Sequence, residues 1–188
     1  MTRSLVIAPQ WIGDAVMTGP LLRRLQARGR GLTLGAGAWG APVYRAMPQV
    51  ERVVEFPFQH GGLQLGVRRR MARELHGEFD TAYVLPNSLK SALLPFLASI
   101  PRRVGYLGEA RVGLLTHRLP NPRGKPPMVA FYSALSGQGD GLAQDRPRLH
   151  LPQQAIDEAL ATQGLARSAY HVFAPGAEEV ANYLKWGS

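Results

Sequence analysis

The sequence contains no cysteine, which excludes a disulfide framework and any thiolate metal site. It has no apolar run of about 18 residues, so nothing in it reads as a membrane-spanning helix. The opening "MTRSLVIAPQ" has too short an apolar stretch, too closely followed by charge, to be a signal peptide. These absences fit a cytoplasmic protein. G-x-S-x-G and phosphate-loop motifs are missing. The five histidines (60, 76, 117, 150, 171) show no metal-ligand spacing, so no metal is expected. Acid is scarce where the chain begins: residues 1–50 carry six arginines and one carboxylate, Asp14.

What is present suffices for one packed domain, or one domain and the start of another: 188 residues, 45% hydrophobic and 19% charged. There is no internal repeat or low-complexity tract. The net charge of +9 is uneven, +5 over residues 1–50, +1 over 51–100, +5 over 101–150 and −2 over 151–188. Such a body suits an anionic partner, whether nucleic acid, phosphorylated lipid or nucleotide. The plain alternative is an arginine-rich composition, since 19 of the 22 basic residues are Arg.

Short apolar runs alternate with amphipathic ones. Strands are expected at 4–8, 32–36, 50–56, 81–86 and 102–106, and helices at 14–28, 41–47, 63–77 and 87–100, the last opening on an Asn cap. That series predicts an α/β fold with a mostly parallel sheet flanked by helices. Beyond Tyr106 the pattern loosens. "RLPNPRGKPP" (118–127) reads as a loop, and helices near 128–136 and 153–163 follow. "YHVFAPGAEE" (170–179) then resembles a strand entering a glycine turn, as a second α/β domain would begin.

Four stretches are candidate sites. In "APQWIGDA" (8–15), Gly13 would let a ligand approach the backbone. Asp14 would stand at a helix N-terminus beyond a strand end, where both a capping role and a catalytic base are open to it. "GAGAWG" (35–40) spells G-x-G-x-x-G with Glu55 twenty residues on, so a dinucleotide oxidoreductase is an alternative; Pro42 and a short following helix weigh against it. "VRRRMARELH" (67–76) offers a basic helix face for anionic lipid or nucleic acid, or simply for solvent. In "PNSLKSA" (86–92), Asn87, Ser88 and Lys90 would occupy a first helical turn, where a cation is unfavourable unless an anion sits nearby.

Taken together, "LVIAPQWIGDAVM" (5–17), "MPQVERVVEFPF" (47–58), "YVLPNSLKSALLPFLASIPRRVGYLGEARVGLLT" (83–116) and "FAPGAEE" (173–179) resemble glycosyltransferase family 9, the bacterial lipopolysaccharide heptosyltransferases. The resemblance implies a GT-B architecture of two Rossmann-like domains. Residues 1–168 would be the acceptor-side domain and 169–188 the start of the nucleotide-sugar domain. It implies inverting, metal-independent transfer of heptose from ADP-heptose to a lipid A–Kdo–heptose core, with no cofactor and no nucleic acid. The site of action would be the cytoplasm, at the inner face of the inner membrane. Asp14 would be the general base. Gly13, Gly176 and Lys185 would bind donor, and Asn87, Ser88, Lys90, Arg102 and Arg103 the phosphorylated acceptor, whose charge also suits Arg111. The family pattern continues after "PGAE" to Lys-Arg-Trp-Pro, whereas this chain reads "PGAEEVANYLKWGS", with Lys185-Trp186 as an echo. The expectation is a truncated chain, inactive alone. A stand-alone anion- or nucleic-acid-binding module is the other alternative.

Overall fold

The computed structural model describes residues 2–58, 62–124, 126–137 and 146–171. It divides into two compact units, Met1–His150 and Leu151–Ser188.

In the first unit, side chains of successive strand residues enter opposite layers. Val6 and Ala8 pack with Leu21, Leu22, Leu25, Tyr44 and Tyr132, whereas Leu5 and Ile7 pack with Met71, Ala72, Leu75 and Leu94. This period of two, apolar on both faces, is what a strand covered on both sides requires. The six strands are β1 (Thr2–Ile7), β2 (Arg30–Ala36), β3 (Arg52–Glu55), β4 (Thr81–Val84), β5 (Arg102–Tyr106) and β6 (His117–Leu119). All neighbours pair in parallel, in the order β3-β2-β1-β4-β5-β6. The expected parallel α/β sheet is therefore observed.

The expected helix over 14–28 is two helices, α1 (Ile12–Met17) and α2 (Gly19–Gln26), with Thr18 between them. Pro20 has no N–H and its ring would clash with the Val16 carbonyl, which disfavours a continuous helix and breaks it here. Placed instead in the first turn of α2, the same proline is tolerated. The next helices are α3 (Ala41–Arg45), α4 (Leu65–Glu74), α5 (Leu89–Leu97) and α6 (Met128–Ala134). Strand β6 falls where a loop was expected. It is three residues long, mostly exposed and ends before Pro120, so it shows no apolar alternation.

The basic face expected on α4 is smaller than the sequence suggests. Arg68 is buried, donates from Nε to the Leu63 carbonyl at 2.8 Å, and lies 4.0 Å over the Phe58 ring. Its long stem and planar head serve packing, and Arg69 and Arg70 remain exposed.

In the second unit the described residues hold one helix, α7 (Gln153–Thr162), where 153–163 was expected. Arg167 pairs with Asp157 at 3.5 Å. The predicted strand at 170–179 lies almost wholly outside the described residues. No described helix is long and apolar enough to cross a membrane.

Candidate functional site at the carboxyl edge of the sheet

Strand order reverses between β1 and β4: the chain runs outward from β1 to β3, then returns to β1's other side. Loops that leave the carboxyl ends of β1 and β4 therefore diverge and leave a crevice, the usual ligand position in open α/β sheets. Ile7 pairs with Val84 at that edge. The segment after β1 carries Gly13 and Asp14, and the segment after β4 carries Asn87, Ser88 and Lys90.

Asp14 is the third residue of α1 and is partly buried. It is not the cap: Trp11 holds that position, and its side chain makes no capping hydrogen bond. Asp14's carboxylate instead meets a tyrosine. The Tyr132 hydroxyl, from buried α6, is pushed well above the usual tyrosine range by burial first, then by the Asp14 charge and by the hydrogen-bonding contact between the two side chains. Tyr44 is also shifted upward, again mainly by burial. Gly13 is exposed, with open space where a Cβ would stand. Trp11 and Trp39, 65% and 74% exposed, stand in the loops after β1 and β2 and add bare aromatic surface to this edge.

Ser88, rather than Asn87, caps α5; its Oγ accepts from the Ser91 N–H at 3.4 Å. Asn87 is free for another bond, which it makes with Arg111. Arg111 is fully buried in a short 3-10 turn (Arg111–Gly113) after β5. It donates from Nη1 to the Pro86 carbonyl at 2.7 Å, from Nη2 to Asn87 Oδ1 at 3.2 Å, and from Nη2 to the Tyr106 carbonyl. Burial lowers its pKa, opposed by the Glu109 charge. Glu109 Oε2 accepts from the Leu89 N–H at 2.9 Å, so the β5 loop clamps the start of α5. Gly108 allows the approach, since a Cβ there would stand 3.2 Å from the Asn87 carbonyl oxygen.

Asp14, Gly13, Asn87, Ser88 and Lys90 thus share the carboxyl edge. Arg102 and Arg103 do not, because they open β5 and lie at the amino edge. Four residue steps of about 3.3 Å, roughly 13 Å, separate that edge from the carboxyl end of the strand. Arg103 is committed to backbone, donating from Nε to the Leu114 carbonyl at 2.6 Å and from Nη1 to that of Ile100 at 2.5 Å. Burial lowers its pKa. Gly176 and Lys185 lie outside the described residues. Among the described residues, no three His, Asp or Glu side chains gather as a metal site.

The glycine motif at 35–40 has a packing explanation. A Cβ on Gly35 would stand 2.0 Å from the Phe56 ring. The helix after the motif, α3, has five residues, and Glu55 is ion-paired with Arg45. Sequence reasoning missed Tyr132, since a tyrosine in an apolar helix reads as core and nothing local marks it. It took Arg111 as a cation for the acceptor's phosphates, whereas the structure buries it as a clamp on two carbonyls and Asn87.

Comparison with known proteins agrees with this fold. Over 161 residues the chain is 43% identical to lipopolysaccharide heptosyltransferase 2 of Escherichia coli (strain K12), covering 82% of this chain and 46% of that protein. It is 36% identical over 167 residues to lipooligosaccharide heptosyltransferase 2 of Haemophilus influenzae, covering 87% and 48%. The solved structure of E. coli ADP-heptose LPS heptosyltransferase II superposes with a TM-score of 0.80 at 35% identity, covering 95% of this chain and 56% of that one. The chain spans about half the length of the curated relatives it matches. The family model for glycosyltransferase family 9 (heptosyltransferase) matches residues 68–186, and the chain belongs to that family.

Proposed function

We propose that this chain supplies the acceptor-side half of an inverting transfer of heptose from ADP-heptose to the lipopolysaccharide inner core, at the cytoplasmic face of the inner membrane. Residues 1–168 form the acceptor side, and 169–188 begin the nucleotide-sugar half. The reading is supported by family membership, by the names of the relatives, and above all by one observation: Asp14 follows the carboxyl end of β1, and the Asn87-Ser88 turn follows that of the adjacent strand β4.

The chemistry is a single displacement. The acceptor hydroxyl attacks the anomeric carbon while Asp14 takes its proton. The carbon–oxygen bond to ADP breaks, and ADP leaves with the electron pair. A base held within hydrogen-bond reach contributes about 10²–10⁴-fold, and fixing both reactants in one crevice adds the positional part. Asn87, Ser88 and Lys90 orient the acceptor, and Lys90 faces its negative charge. Gly13, Gly176 and Lys185 serve the donor.

The test is Asp14→Ala in a chain that carries both halves of the fold. Transfer falls by about 10²–10⁴-fold, while ADP-heptose binding persists. Near-normal turnover in that variant refutes the role of Asp14.

A further inference from the structure

The amino edge of the sheet, opposite the crevice, holds a cavity of about 300 Å³. Tyr83, Val104, Leu119 and Leu135 contribute apolar wall, and Arg28, Arg30, Arg102, His117 and Arg118 contribute polar rim. Four arginines converge there, and among the described residues no carboxylate lines the cavity. Like charges gathered in this way repel, and an anion between them would relieve the repulsion.

Among the described residues their hydrogen-bond partners are carbonyls, hydroxyls and one imidazole. Arg28 donates to the Ser136 carbonyl and Arg118 to the Val112 carbonyl at 3.3 Å. Arg30 reaches the Ser4 and Thr81 hydroxyls at 3.4 and 3.3 Å, and lies 5.8 Å from the Tyr83 ring. Arg102 bonds His117 Nε2 at 2.9 Å. A guanidinium has five N–H donors, so the exposed Arg28, Arg102 and Arg118 can turn donors to a ligand or to water, and Arg30 Nε is buried with no partner among the described residues. Asp80 shares this edge, but its Oδ2 accepts from the Arg3 backbone N–H at 2.9 Å and it does not line the cavity.

We propose that this cavity is a second anion site, built to bind a phosphomonoester or pyrophosphate group. Arginine forks match phosphate oxygens two at a time. The volume sits at the lower end of small-molecule sites, and the apolar wall accommodates the organic part of a phosphorylated molecule. The site takes in Arg102, which the sequence had grouped with the acceptor residues, and it is independent of the transfer proposed above.

The test is calorimetric titration of the chain with inorganic pyrophosphate, repeated on Arg102→Gln and on an Arg28→Gln/Arg118→Gln double variant. Arg69→Gln/Arg70→Gln on α4 removes equal charge elsewhere and serves as control. Binding weakens at least tenfold in both cavity variants and stays within twofold in the control, with circular dichroism unchanged. If one cavity variant fails to fold, the other decides. Absence of binding at millimolar pyrophosphate, or equal weakening in the control, overturns the proposal. Flotation with phosphatidic acid, phosphatidylglycerol and phosphatidylcholine vesicles then assigns the source. Pyrophosphate-sensitive binding to phosphatidic acid identifies a lipid headgroup. Pyrophosphate binding without flotation identifies a soluble ligand.

Discussion

Arg111 reaches from the turn after β5 to Asn87 after β4, Nη2 to Oδ1 at 3.2 Å, and so fixes one wall of the crevice from a fully buried position. Replacing it by Met leaves the Pro86 and Tyr106 carbonyls without their donor. Hydrogen bonds to charged groups contribute about 1.5–3 kcal/mol each and are partly replaced by relaxation, so a loss of about 2–4 kcal/mol is expected. For a chain of this size that lowers Tm by roughly 4–16 °C in a thermal melt. A Tm within a degree of the parent contradicts the clamp.

Tyr132→Phe removes the hydroxyl that meets Asp14 while keeping the buried ring. Stability changes by about 1 kcal/mol. Transfer in a chain with both halves loses kcat by up to about tenfold, roughly the 1.4 kcal/mol of one oriented contact, with KM little altered. A change confined to KM would point to acceptor binding instead of to the base.

Gly35→Ala and Gly37→Ala separate packing from ligand cradling. Alanine at 35 collides with Phe56, for an expected cost of about 1–3 kcal/mol in denaturant melts. At 37 nothing lies within 4 Å, so the cost stays within about 0.5 kcal/mol. A nicotinamide cofactor shifts the melt of neither variant nor of the parent.

Tyr44 and Tyr132 have raised pKa values in the fold, chiefly through burial. Unfolded tyrosine ionises near pH 10. Above that pH the unfolded chain releases protons that the folded chain keeps, so stability falls as pH rises through this range. It is fully present below about pH 10. Phenolate absorbance of these two residues then appears together with unfolding, which absorbance and circular dichroism followed on one pH titration check.

The sheet was legible because its strands are buried on both faces and read as apolar runs. β5 was placed at its observed bounds, 102–106. The break at Thr18 had a signal in Pro20, which disfavours a continuous helix, but amphipathic spacing on both sides hid it. β6 left no signal, being short and exposed. Asp14 stood out as the sole acid among six arginines. Arg102 and Arg103 were grouped with the acceptor residues because their charge suits a phosphorylated acceptor, although opening a parallel strand places them at its amino end. Arg111 and the Tyr132 contact depend on pairings across 24 and 118 residues of chain, which no local window contains.

The reversal of strand order has a consequence for synthesis. β1 is the central strand, and its partner on one side, Thr81–Val84, lies 77 residues downstream of Ser4. At about 5–20 residues per second a ribosome needs roughly 4–16 s to deliver that partner. Through that interval Leu5–Ile7 can pair only with β2, and its other edge stays open to any passing strand. The middle of the finished sheet therefore closes only after its β1–β2–β3 half has been made, and until then the nascent chain is open to misassembly where the folded protein is best protected.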